Sequence, residues 1–144
     1  MKVPPKVQRL IRAAVKAQAH AYCPLTRYAV GAAVLGESGR IYPGVNVESP
    51  TGILHVCAER AAIFSALSAG ERLIKAVATV SRGSFPCGVC RQALLEFGAG
   101  DIPVYSVLQD PLSGPVRVEE TRVSRLLPEA HTPKHIARRK KSAR

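Results

Sequence analysis

The chain of 144 residues carries 21 Lys and Arg against 10 Asp and Glu, a net charge of +11, with 47% hydrophobic residues and only 5% aromatics. That length allows one domain with a sizeable core and is too short for two. No apolar run reaches the roughly 18–20 residues that span a membrane, and the basic start MKVPPKVQRLIRAAVKAQAHAY lacks the apolar stretch of a secretory signal, so the chain reads as cytoplasmic.

In chain order, Val7, Leu10, Ile11, Ala14 and Val15 follow helical spacing, with basic residues on the other face, and predict a helix over 7–22. CPLTR breaks it. YAVGAAVL (28–35) and RIYPGVNV (40–47) read as two strands joined by the turn GESGR, with Pro43 and Gly44 marking a bulge or an edge. ESPTGIL is a loop, and 57–69 is an alanine-rich helix with Gly70 behind it. IKAVATV (74–80) is a nearly continuous apolar strand of the kind buried between parallel neighbours. SRGSFP is a loop, 88–97 a helix closed by Gly98, 102–108 a strand, QDPLSGP a turn, VRVEE a short last strand and RVSRLL a short helix. There is no internal repeat. Helices alternating with strands argue for an α/β fold with a mixed sheet covered on both faces, three layers α/β/α around five strands. The domain is expected over 1–133. The segment 134–144, KHIARRKKSAR, holds six of the basic residues and no acid; it is expected to be a disordered tail. Without it fifteen basic residues face ten acidic ones, so the excess charge supports only weak attraction of nucleic acid through that tail.

Four cysteines, Cys23, Cys57, Cys87 and Cys90, occur in a chain with no secretion signal, where two disulfides are not expected. Cys87-Gly88-Val89-Cys90 suits a metal or a redox pair. A thioredoxin-like pair would follow an early strand; this one is late and a further cysteine accompanies it, so metal is the better reading. HVCAERAAIF puts Cys57 and Glu59 at the start of one apolar helix, and FPCGVCRQALLEF puts Cys87 and Cys90 at the start of the next. Three thiolates from two helix starts can hold Zn²⁺ and leave its fourth position open for water. The positive ends of both helices favour thiolate over thiol. Glu59 is placed beside that open position without being a ligand, near the water the metal would hold. Arg60 could donate to thiolate sulfur and offset its charge, whereas Arg91 and Gln92 read as structural. A closed structural site would take His55, or less readily Cys23, as a fourth ligand, and would leave Glu59 without a reason in an apolar face.

Cys57-Ala58-Glu59 followed by Pro86-Cys87-Gly88-Val89-Cys90 resembles the zinc nucleoside and nucleobase deaminases. With AYCPLTRYAVGAAV, GRIYPGVNVE, CAERAAIFSAL, PCGVCRQALLEFG and LLPEA, the chain is similar to the small cytidine deaminases over most of its length. The resemblance implies a cytidine deaminase-like fold, usually a homotetramer. It also implies zinc-dependent hydrolysis of cytidine, and of 2′-deoxycytidine, to the uracil nucleoside and ammonia in pyrimidine salvage. It implies zinc on Cys57, Cys87 and Cys90, Glu59 as the proton carrier, Arg60 against a thiolate, Asn46 and Glu48 on the ribose, and Tyr28 against the pyrimidine. Asn46 and Glu48, two apart on a strand, would point the same way. The chain departs from the family at Gly52, where a tyrosine is usual, at His131, where a phenylalanine is common, and at Phe85, where a serine commonly precedes the Pro-Cys-x-x-Cys motif. Those departures bear on the substrate and on a site shared between subunits rather than on the chemistry. The alternatives are a deaminase of a modified cytosine nucleoside of the blasticidin type, a nucleic-acid editing deaminase, supported only by the basic tail, and a non-catalytic zinc-stabilised binding module.

Overall fold

The computed structural model describes residues 3–83, 85–109 and 116–132. The expected tail over 134–144 and most of the QDPLSGP turn lie outside the described residues. No helix among those described is long and apolar enough to cross a membrane.

α1 (Pro5–Gln18) begins with Pro5 at a first helical position, where its ring presets φ and its missing N–H costs nothing. This starts the helix two residues before the apolar spacing does. It stops at Gln18 rather than running to 22, because Tyr22 forms a bridge to Val47 and the Gln18 amide donates to the Ala29 carbonyl at 3.0 Å. Then come β1 (Gly31–Gly36) and β2 (Ile41–Val45), an antiparallel hairpin, and α2 (Ala58–Ser68). β3 (Ile74–Ser81), α3 (Gly88–Phe97), β4 (Pro103–Gln109), β5 (Val116–Arg122) and α4 (Val123–Leu126) complete the order.

β1 starts three residues later than its apolar run suggests. The Val30 N–H donates to the Asn46 Oδ1 at 2.9 Å, and Asn46 Nδ2 donates to the Tyr28 carbonyl at 2.8 Å. A side chain has taken backbone groups that a strand partner would otherwise bind.

The strands lie in the order β2-β1-β3-β4-β5, and only β3 and β4 are parallel. β3 therefore has one parallel and one antiparallel neighbour, not two parallel ones. Its apolar continuity comes from helices covering both faces. α1 packs on Ala33, Leu35, Ala76, Ala78 and Val80, while α2 and α3 pack on Ala32, Val34, Val77 and Val104. That is the three-layer arrangement the sequence suggests. Pro43 and Gly44 mark an edge and not a bulge: β2 pairs with β1 in regular register, and the irregularity falls at Leu35/Gly36 between β1 and β3.

Two details set how α2 lies on the sheet. A Cβ at Gly44 would sit 2.3 Å from the Ala62 nitrogen and 2.5 Å from the Ala58 oxygen, so the helix backbone rests directly on β2. Gly70, at φ +99°, turns the chain out of α2. The Glu71 carboxylate that follows accepts from the Ser38 hydroxyl, from the Ser38 N–H at 3.2 Å and from the Tyr42 hydroxyl at 2.9 Å. The end of α2 is thus fastened to the β1–β2 turn. The Ser38 hydroxyl, ahead of the other donors, holds the Glu71 carboxyl below its ordinary range.

Candidate active site

Cys57 and Cys87 are the N-cap residues of α2 and α3, both with extended backbone, and neither side chain caps its own helix. Their sulfurs turn toward each other instead, 3.7 Å apart, and Cys90, one turn into α3, lies 3.6 Å from Cys87. All three sulfurs fall within 4.8 Å of one another. A tetrahedral zinc with Zn–S bonds of about 2.3 Å spaces its sulfurs by about 3.8 Å, so both of those separations match.

The charges fit a cation as well. The Cys57 thiol is held down to about 5, first by the Cys90 thiol that donates to it and then by Arg60, whose guanidinium reaches the Cys57 sulfur at 3.7 Å. Cys90 is pushed up by the same bond to Cys57 and by burial. A thiolate is favoured at Cys57, and ionising Cys90 beside it calls for a divalent cation between the sulfurs. The donor set and spacing suit zinc.

Glu59 stands in the first turn of α2 and is only 4% exposed. Burial pushes its carboxyl up, partly offset by the Thr79 hydroxyl, which donates to Oε1 at 3.0 Å. Glu59, Cys57 and Cys87 open onto a cavity of about 230 Å³, which Tyr28 and Asn46 also line. Val30, Ala58 and Phe85 complete its wall. Larger hollows beside α1, about 460 Å³, and beside Glu71, about 410 Å³, contain no cluster of metal ligands among the described residues.

The model of the cytidine and deoxycytidylate deaminase zinc-binding region matches residues 4–106, a stretch that contains all three sulfurs and Glu59. The chain belongs to this deaminase family. It is 42% identical to a cytidine deaminase of Sporosarcina psychrophila, over 91% of this chain and 95% of that one. It is 41% identical to a cytidine deaminase of Halalkalibacterium halodurans, over 87% and 93%. The crystal structure of a cytidine deaminase from Burkholderia pseudomallei superposes with a TM-score of 0.74 at 39% identity, covering 86% of this chain and 98% of that one. This is a family of zinc-dependent hydrolases, and the fold expected from the sequence is its fold.

Within the deaminase frame, Glu48 takes a different place from the other expected residues. β2 ends at Val45, so Asn46 and Glu48 lie beyond the strand, beside bridges from Val47 to Tyr22 and Val56. Their side chains do share a side, as alternation predicts, and both reach the 25–30 segment. The Glu48 carboxylate accepts from the Leu25 N–H at 3.2 Å and the Thr26 N–H at 3.1 Å, and it is not on the cavity wall. Burial alone would push that carboxyl up; the Thr26 and Leu25 donors outweigh it and hold the group below its ordinary range.

His55 is turned away from the cluster, its Nδ1 accepting from the Ser49 N–H at 2.8 Å, and neither it nor Cys23 joins the three sulfurs. Arg91 donates to the Pro86 carbonyl at 2.6 Å and the Leu126 carbonyl at 2.8 Å, and Gln92 to the His131 carbonyl at 2.9 Å. Both tie the motif loop to the chain end, the structural task expected of them. Of four further residues at or beside the site, Val30, Thr79 and Arg82 are not expected there from the sequence. Phe85 stands out only as a departure, although its place before Pro86 makes it a neighbour of the cluster. Val30 and Thr79 carry no local signal. Arg82 lies over the Tyr28 ring, 5.2 Å from its centroid, and donates to the Arg27 carbonyl at 3.3 Å.

Proposed function

We propose that this protein hydrolyses cytidine, and 2′-deoxycytidine, at C4, releasing ammonia and leaving the uracil nucleoside. The observation that carries the reading is a buried carboxyl group, Glu59, opening onto the same small cavity as a three-sulfur cluster of zinc geometry. The Sporosarcina and Halalkalibacterium relatives carry the cytidine deaminase name, which supports cytidine over a modified nucleoside.

Zinc held by Cys57, Cys87 and Cys90 would supply Lewis-acid activation of water. Glu59 takes the proton that water loses on attack at C4 and delivers it to N3. It then passes the second proton to the departing amine, so one carboxyl group balances the reaction. Arg60 holds the Cys57 sulfur and offsets negative charge in the cluster. Tyr28, fixed from outside by Arg82, faces the pyrimidine with its ring. Asn46, on the cavity wall, and Glu48 behind it form the ribose end.

A homotetramer in the cytoplasm, serving pyrimidine salvage, is the setting we infer. Apolar side chains beside the ribose end, Ile53 at 83% and Leu54 at 74% exposure, support association of like subunits there. The deciding assay is ammonia release by zinc-loaded protein from cytidine, 2′-deoxycytidine and blasticidin S, with single-stranded DNA alongside. Turnover of the free nucleosides is expected. Preference for either of the other two would replace the reading, and light scattering checks the oligomer.

A further inference from the structure

We propose that Thr79 is a positioning residue for the deamination: its hydroxyl, fixed on β3, holds one carboxyl oxygen of Glu59 and leaves the other for the cavity. The inference rests on the proposed deamination, which gives Glu59 its task.

Thr79 lies in the centre of the sheet, on the face that carries Val77 and meets α2 and α3. A hydroxyl is out of place in that apolar layer unless it is bonded. Its oxygen is 3.0 Å from Glu59 Oε1, and both side chains are buried. Glu59 also lines the cavity, so the carboxyl group that Thr79 tethers through Oε1 belongs to the wall of the site. A hydroxyl can donate or accept, as an N–H cannot. The Thr79 hydroxyl can therefore bond Oε1 in either sense. β3 is paired on both sides, with β1 and β4, so the anchor sits on an interior strand of the sheet.

The neighbouring strand supplies a control. Ser106 pairs with Thr79 in the parallel register and shares its face, and its buried hydroxyl has no partner among the described residues. Two adjacent hydroxyls thus sit in one layer, and only the one beneath Glu59 is engaged.

The test uses zinc-loaded full-length Thr79→Val, Thr79→Ser and Ser106→Ala. Thr79→Val should lower kcat about ten- to a hundredfold, the loss expected for one hydrogen bond to a charged group. KM, zinc content and Tm should stay near wild type. Thr79→Ser should restore most of kcat, and Ser106→Ala should match wild type. A kcat for Thr79→Val within about threefold of wild type overturns the proposal, as does a loss of zinc that accounts for the drop. A drop in Ser106→Ala as large as in Thr79→Val also overturns it. If the wild type itself released no ammonia from cytidine, the deaminase reading would fall on its own. Crystal structures of wild type and Thr79→Val then decide the tether: a displaced Glu59 carboxyl sustains it, and an unmoved one overturns it.

Discussion

Glu59 and Glu48 are both buried carboxyl groups, at 4% and 8% exposure, yet their surroundings push them in opposite directions. Glu59 begins a helix and meets its own backbone N–H, the Thr79 hydroxyl and the Cys90 thiol, yet burial still dominates. Glu48 sits in irregular chain and meets two backbone N–H groups, so it stays a fixed anion. Both side chains are shielded from solvent, but Glu59 lies deep and Glu48 close to the surface, so depth and partner set act together. Deep burial raises a carboxyl group's range, and a set of backbone N–H donors near the surface lowers it.

Exchanging Glu59 for glutamine tests the first half of that contrast most severely. Glu59→Gln keeps the shape and the Thr79 contact but cannot carry protons, so kcat should fall about a thousandfold or more. Metal analysis should find zinc unchanged, and turnover within tenfold of wild type would remove Glu59 from the reaction. Cys87→Ala separates the helix-start region from the rest by another route. It removes a ligand shared between two helix starts, so zinc content and Tm should fall together, and chelation of the wild type should mimic it. Full zinc in that variant would mean the ligand set is wrong.

The second half is tested by Glu48→Ala, which should cost about tenfold or more in kcat/KM, the scale of a charge-assisted hydrogen bond. Steady-state kinetics on cytidine and 2′,3′-dideoxycytidine distinguish how it acts. A dideoxy compound that reacts as well as cytidine would limit Glu48 to holding the 25–30 segment. The smallest effect is expected at Glu71, which resembles Glu48 in its donors but is remote from the cluster. Its folded-state carboxyl lies below the ordinary 4.5, so its contribution to stability is present above that value and is lost as pH falls through the lowered one. Glu71→Gln should therefore lower Tm by a few degrees at neutral pH, and thermal melts should show the gap closing below about pH 4.

The same contrast separates what is legible in the sequence from what is not. The helix starts are legible because their information is local. Cys57, Glu59, Cys87 and Cys90 fall within a few residues of a loop-to-helix boundary, and their chemistry is written in residue type and spacing. The proposed ribose end, Asn46 and Glu48, draws its role from family resemblance. Residue pattern extends the second strand through Asn46, but the strand stops at Val45. The bonds of Asn46 and Glu48 to Tyr28, Val30, Leu25 and Thr26 join segments about twenty residues apart, which no local pattern reports. Thr79 is silent for a related reason: in a strand whose two faces are both covered, one threonine among valines and alanines carries no sign of what lies above it. The helix expected over 7–22 is too long because helical spacing cannot report that Tyr22 is needed as a bridge.

The bare backbone at Gly44 has a consequence for how this enzyme could be altered. With no side chain there, the backbone of α2 occupies the space a Cβ on the edge strand would need. Any larger residue would act as a shim under the helix. The same helix carries Cys57 and Glu59 at its start, while Cys87 and Cys90 hang from α3 on the other side of the cavity. Thickening the edge strand by one methyl group would therefore part the two halves of the cluster without touching either. In a library selected for turnover, position 44 should remain as intolerant as the cysteines, although it binds nothing and moves no proton.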